Sequence, residues 1–273
     1  MIQGRYSLTL VLILTLILLS LATLKGEHIL ERQKIGKLDC AVLSPPSPEV
    51  DSVLIWLHGL GDSHDGFIGI LKSILPSNTV AIIPTAPKRA ITLYRGRETN
   101  AWFDIKSQNR IANVQEDTEG MMESKTLIDE IISAQMQKFK SHRIVIGGFS
   151  QGAAMSILVA SRSSQTLGGI ISVSGFVPMR SKFNTATDMV LRQNAQTPFY
   201  ILHGDDDIVV NYSLIAKRSY DWLEEAKTIT ARKIYKHVGH FISDQEKKDL
   251  KDILAQLFVK SIDVSEQCPH CNF

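Results

Sequence analysis

Short, nearly unbroken apolar runs punctuate the chain at residues 52–57, 79–83, 143–147, 169–173, 198–202 and, less purely, 231–235. A run without polar alternation is the pattern of a strand buried on both faces, as in a parallel sheet. Between these runs, apolar positions recur at three- and four-residue spacing over 67–75, 120–138, 152–162, 212–225 and 243–258, which predicts helices. In the last of them Leu250, Ile253, Leu254, Leu257 and Phe258 share one stripe, and lysines and acids take the other positions. Residues 29–43 alternate loosely and predict an edge strand or ribbon, which Pro45-Pro46-Ser47-Pro48 breaks. Alternating strands and helices predict a single α/β domain over 29–260, a doubly wound and mostly parallel sheet with helices on both faces. A short tail, 261–273, follows it. The long connections 84–114 and 175–197 show no helical pattern, and each follows a strand. They should therefore hang over the C-terminal edge of the sheet, where such sheets bind ligands.

The first residues stand apart from this pattern. Residues 8–19 are apolar throughout except for threonines, with Arg5 before them and Ser20-Leu21-Ala22 after. A basic start, an apolar stretch and small residues around Ala22 read as an export signal cleaved after Ala22. Left uncleaved, residues 8–24 are at the short end for a membrane-spanning anchor. Residues 1–24 are thus expected to be a signal peptide or anchor outside the fold, which puts the protein in the secretory pathway or ties it to a membrane.

Composition narrows the field only modestly. At 44% hydrophobic, the chain can fill a substantial core. Its 30 basic and 28 acidic residues nearly cancel, so no strong field favours nucleic acid. Three cysteines are too few for a disulfide scaffold. Cys268-Pro269-His270-Cys271 lies beyond the last predicted helix and not at a helix start beside a strand, where a redox-active thiolate would be stabilised. It also lacks a fourth metal ligand, and a tail disulfide or free thiols are the expectation.

The chemistry centres on Gly148-Phe149-Ser150-Gln151-Gly152, set between the apolar run 143–147 and the Ala-rich helix pattern from Ala153 onward. Gly-x-Ser-x-Gly at a strand-to-helix turn is a nucleophile elbow, the mark of an α/β-hydrolase. Its serine needs a base, and the base needs an acid to orient it. In this fold they follow in the order serine, acid, histidine, each on a loop after a strand. Of the eight histidines, His237, His240 and His270 come late enough. His240 follows Gly239 just past the last strand run and precedes the final helix, so it can swing back over the sheet edge. The acid belongs on Asp205-Asp206-Asp207, directly after the run 198–202. Adjacent carboxylates cannot all be buried, so one should face the histidine while the others face water or cap a helix. The spacing alone leaves open which one. An oxyanion hole requires two backbone N–H groups. The Gln151 N–H supplies one, and the turn His58-Gly59-Leu60-Gly61 offers the other at Leu60.

Taken with Leu57-His58-Gly59-Leu60-Gly61-Asp62, Pro84-Thr85-Ala86-Pro87, Ala101-Trp102-Phe103-Asp104, His203-Gly204-Asp205-x-Asp207-x-x-Val210 and Gly239-His240, the elbow resembles the acyl-protein thioesterase, lysophospholipase and small carboxylesterase family. The resemblance covers roughly residues 38–258. It implies a serine hydrolase of acyl thioesters or esters working through an acyl-enzyme. It implies Ser150 as nucleophile, His240 as base, Asp207 as the orienting acid, and Leu60 and Gln151 as oxyanion donors, with no cofactor and no metal. It also implies that Trp102 and Phe103 border the acyl groove, although a buried aromatic anchor is an equal reading of the same pair. Expected substrates are acylated proteins, such as palmitoyl thioesters, and lysophospholipids. An exported enzyme would not meet proteins acylated on cytosolic cysteines, which favours lysophospholipids or small esters. A hydrolase-fold binding protein without turnover fits less well, because loss of activity usually removes one member of the set.

Overall fold

The computed structural model describes residues 26–106, 116–182, 192–225 and 228–260. Along the chain these form β1 (Ile29–Ile35), β2 (Leu38–Ser44), β3 (Ser52–Leu57), α1 (Asp65–Ile74), β4 (Thr79–Pro84), β5 (Lys88–Ile91), β6 (Arg97–Asn100) and α2 (Thr118–Met136). Then come β7 (Ile144–Phe149), α3 (Gln151–Ser161), β8 (Gly169–Val173), β9 (Phe199–Gly204), α4 (Lys217–Glu225), β10 (Ala231–Tyr235) and α5 (Asp244–Lys260).

The unbroken apolar runs sit at the centre of the main sheet, whose order is β1-β2-β4-β3-β7-β8-β9-β10. Every residue of β3, β8 and β9 is buried, as strands covered on both faces must be. Neighbours from β4 through β10 pair in parallel, while the β1–β2 ribbon and the β2–β4 edge are antiparallel. Alternate residues of a strand point to opposite faces, so one strand feeds two cores. Val53, Ile55 and Leu57 join α2, α3 and α4 on one face; Leu54 and Trp56 join α1 and α5 on the other.

Two local features differ from the expected pattern. The connection after β4 holds a two-stranded hairpin, with β5 and β6 paired from Lys88↔Asn100 to Ile91↔Arg97. Its strands are mostly polar, so no apolar alternation announces them. The helix expected over 212–225 opens with a π-helical turn, Tyr212–Ala216, before α4. The leader 1–24, the tail 261–273 with Cys268 and Cys271, and parts of both long connections lie outside the described residues. Among the described residues, no helix is long and apolar enough to cross a membrane.

Candidate active site

The elbow is built by steric exclusion. A Cβ on Gly152 would lie 2.1 Å from the Leu57 carbonyl oxygen, and one on Gly148 would lie 2.6 Å from the same atom. Neither position tolerates a side chain, so β7 can turn into α3 directly behind β3. Ser150 between them has φ 55°, a conformation that costs roughly 1–3 kcal/mol for a non-glycine residue. Its N–H donates to Val173 O at 2.9 Å, which ties the turn to β8. A serine in front of a helix ordinarily caps the first amides with its hydroxyl. Ser150 makes no such bond, and its Oγ lies 2.9 Å from His240 Nε2.

His240 Nδ1 lies 2.6 Å from Asp207 Oδ2. A carboxylate only accepts, so Nδ1 carries the proton, and Nε2 is left as the acceptor for the Ser150 hydroxyl. The imidazole also rests on the Phe149 ring, with centroids 4.8 Å apart. Asp207 is fully buried, and its Oδ1 accepts the N–H groups of Val209 (2.9 Å) and Val210 (2.8 Å). Burial pushes the Asp207 carboxyl up, but hydrogen bonds from His203 and His240, the nearby His240 charge and the Val210 N–H outweigh it. The carboxyl is held well below the usual carboxylate range. The other two aspartates turn outward. Asp205 Oδ1 accepts the His237 N–H at 2.7 Å, and Asp206 is 3.6 Å from the His237 ring at the surface.

Against the elbow sits the turn that carries Leu60. A Cβ added to Gly59 would stand 3.4 Å from Ser150 Cβ. Among the described residues neither the Leu60 N–H nor the Gln151 N–H has an acceptor, so both remain available to an anion. Four hydrogen bonds fix the turn. Gly61 N–H donates to Asn100 O at 2.8 Å, and Trp102 Nε1 donates to His58 O at 2.9 Å. His58 Nε2 accepts the Ala86 N–H at 3.0 Å, which leaves Nδ1–H to donate to Gly59 O at 2.6 Å. Burial holds His58 below the ordinary histidine range, in keeping with a neutral ring.

Trp102 and Phe103 are where the expected groove wall gives way to the anchor. They are 0% and 2% exposed. The Gln151 side chain accepts from Trp102 N at 2.8 Å and donates to Phe103 O at 2.7 Å, while Phe103 meets Phe176 edge-on. Both aromatics thus lock their segment to the elbow. Two buried histidines, His58 and His203, support the site although each precedes the candidate acids and so cannot be the base in the expected order. Each ends an apolar run as a Leu-His-Gly triplet, and that repeated strand-end motif is the signal that marks them. Among the described residues no cluster of His, Cys, Asp or Glu is arranged to hold a metal ion.

Residues 38–258 match the family model described as phospholipase/carboxylesterase. Acyl-protein thioesterase 1 homolog 1 of Dictyostelium discoideum is 37% identical over 201 residues, 71% of this chain and 85% of that protein. Acyl-protein thioesterase 1 of Cryptococcus neoformans is 32% identical over 227 residues, 77% and 94% of the two chains. Among solved structures, Zea mays acyl-protein thioesterase 2 superposes with a TM-score of 0.70 at 26% identity, covering 80% of this chain and 98% of that one. Arabidopsis thaliana SOBER1 gives 0.70 at 26%, covering 76% and 99%.

Proposed function

The chain belongs to the phospholipase/carboxylesterase family and is a serine hydrolase of acyl thioesters or esters, and from that premise we propose that it cleaves acyl thioesters through a Ser150–His240–Asp207 triad. Thioesters are the favoured substrate class because the relatives are named as acyl-protein thioesterases. The observation that carries the mechanism is the continuous hydrogen-bonded line from Asp207 through His240 to Ser150, at 2.6 and 2.9 Å.

His240 Nε2 takes the Ser150 hydroxyl proton as Oγ attacks the acyl carbonyl carbon. The carbonyl oxygen gains negative charge, and the Leu60 and Gln151 N–H groups donate to it. The Cγ of Asp207 is not attacked and its carboxylate stays ionised, offsetting the imidazolium that forms. Collapse of the tetrahedral intermediate breaks the C–S or C–O bond, and His240 returns the proton to the leaving sulfur or oxygen. Water then repeats the cycle on the acyl-enzyme and releases the fatty acid and free Ser150. Loss of either oxyanion donor would cost about 3 kcal/mol of transition-state stabilisation.

The experiment is active-site labelling. A fluorophosphonate is expected to add a single phosphonyl group, located by peptide mass spectrometry on Ser150. Reaction at another residue, or none, overturns the assignment. On substrates, a palmitoyl-thioester peptide is expected to be cleaved with higher kcat/KM than lysophosphatidylcholine; the reverse order would make the protein a lysophospholipase.

The leader supports a separate reading, export, through the basic, apolar and small-residue segments before residue 24; an exported enzyme would act on thioesters or esters other than those formed on cytosolic cysteines. The mature N terminus is expected at residue 23. Edman sequencing of protein from the native source that returns Met1 or Ile2 would replace the signal with an uncleaved anchor.

A further inference from the structure

Behind Asp207, on the side away from His240, lies a second buried polar group that the acyl-transfer steps do not use. His203, the penultimate residue of β9, is fully buried. Its Nε2 lies 2.9 Å from Val210 O and 3.4 Å from Asp207 Oδ2. Both of those atoms accept and neither donates, so Nε2 must carry a proton directed at the acid and at the loop that holds it. On the ring's other side, Nδ1 lies 2.8 Å from the Tyr220 hydroxyl oxygen, which is also 2.7 Å from Gly175 O, so the single hydroxyl proton is shared between these two acceptors. Tyr220 is fully buried on α4, and the Arg232 guanidinium lies over its ring at 5.4 Å. The same guanidinium donates to the Tyr212 hydroxyl at 2.6 Å and pairs with Asp221 at 2.8 Å. The imidazole is therefore fixed at both nitrogens and held between two tyrosine rings, with centroids 5.6 and 5.7 Å away.

We propose that His203 is a positioning residue for the reaction: through Nε2–H it sets the orientation and charge of Asp207, and Tyr220 in turn sets His203. The inference rests on the proposed triad. Two tasks meet in one side chain. The bond to Val210 O closes the loop 207–210 on itself, because the Val210 N–H already donates to Asp207 Oδ1. The Nε2–H also faces the same carboxylate oxygen that accepts from His240, and so shares its negative charge. A simple packing residue would not need a donor on that nitrogen.

The titratable and charged groups facing this pocket are His203 on β9, Tyr212 and Tyr220 on the segment after the acid loop, Arg232 on β10 beyond Tyr220, and Glu246 on α5. Glu246 is also buried; its Oε2 accepts the Ser243 N–H and hydroxyl at 2.7 Å, and among the described residues its Oε1 has no hydrogen-bond partner. Burial holds Glu246 protonated to higher pH than a free glutamate. His203 is one of the groups that lower its pKa, so replacing His203 moves Glu246 further up, and the comparison is repeated in a Glu246→Gln background to keep that shift out of the profile.

The test compares His203→Phe, His203→Gln and Tyr220→Phe with the parent enzyme on a soluble thioester, reading kcat, KM and the pH profile of kcat/KM. Phenylalanine keeps the ring but has no donor; the Gln Nε2 can stand near the position of the histidine Nε2. With one donor fewer, the Asp207 carboxylate concentrates more charge on His240 and stabilises its protonated form. The acid limb of the profile should then move to higher pH, by about half a unit to one unit. His203→Phe should lose kcat by about 10- to 100-fold with KM little changed. His203→Gln should recover most of kcat and return the limb toward the parent position. Tyr220→Phe should move the limb in the same direction by a smaller amount, and it serves as the readout if His203→Phe does not fold. Equal losses in Phe and Gln variants with an unmoved acid limb would reduce His203 to packing, as would parental kcat in His203→Phe. A fully active Ser150→Ala enzyme would instead remove the triad reading on which the inference rests.

Discussion

Replacement of Ser150 by alanine is expected to lower kcat for thioester hydrolysis by about 10⁵- to 10⁶-fold, with KM and the melting temperature close to the parent values. In the proposed mechanism Oγ bonds to the acyl carbon, and among the described residues no other hydroxyl hydrogen-bonds to His240. The residual rate should come from substrate binding and the Leu60 and Gln151 amides, which the substitution leaves in place. Stability should change little because alanine meets the same positive φ as serine, and the Ser150 hydroxyl caps no helix amide. His240→Ala should fall to a similar level, and the double variant should be no slower than either single one, since the two residues act as a unit. Stopped assays with enough enzyme to detect a 10⁶-fold loss decide this. Retention of more than about a thousandth of kcat in Ser150→Ala would mean that another nucleophile, or water directly, attacks the substrate.

Much of the architecture behind that prediction can be read from residue pattern because the central strands are buried on both sides. Burial on both faces keeps the run nearly free of polar residues, and β3 and β8 fall at the bounds the apolar runs mark out; the edge strand β10 does so as well, although it is only partly buried. The elbow is legible for a related reason: the Leu57 carbonyl stands where a Cβ at 148 or 152 would go, so glycine is forced at two fixed positions. The β5–β6 hairpin is not legible. Its strands send only Ile91 into the core, and residues such as Lys88, Arg89, Arg97 and Glu98 are set by solvent and long-range ion pairs, as in Arg89 with Glu123 at 2.8 Å.

The supporting groups of the site were hidden by a different mechanism. Pattern finds residues by what they do along the chain, whereas His58, His203 and the Gln151 side chain act across it. Gln151 joins the segment at 102–103, nearly fifty positions away, to the elbow. Nothing local to Gln151 distinguishes a side chain that bridges two loops from one exposed on a helix. The Trp102-Phe103 pair shows the same limit. Large aromatics beside a catalytic loop suggest a ligand wall, and only the hydrogen bond from Trp102 Nε1 to His58 O identifies an anchor.

Asp207→Asn is expected to lower kcat by about 10⁴-fold, while Asp205→Asn and Asp206→Asn stay within about threefold of the parent. The reason is a count of donors. Asp207 Oδ1 faces the N–H groups of Val209 and Val210, and Oδ2 faces His240 Nδ1 and His203 Nε2. Both carboxylate oxygens are thus surrounded by donors, and asparagine offers only one oxygen. If that oxygen keeps the two backbone amides, the Asn NH₂ faces His240 Nδ1 and forces the proton onto Nε2. Nε2 then cannot accept from Ser150. If the oxygen faces His240 instead, the NH₂ meets two backbone N–H groups, and the loop loses both bonds that shape it. Either arrangement removes general-base chemistry, the first through the wrong tautomer and the second through a displaced acid. Asp205 needs only one acceptor for the His237 N–H, which an Asn oxygen supplies equally well, and Asp206 stands at the surface. Steady-state kinetics on the three variants separate the aspartates that sequence spacing leaves equivalent. An Asp207→Asn enzyme within tenfold of the parent, or an Asp205→Asn enzyme slowed by a thousandfold, would move the acid to another residue of the triplet.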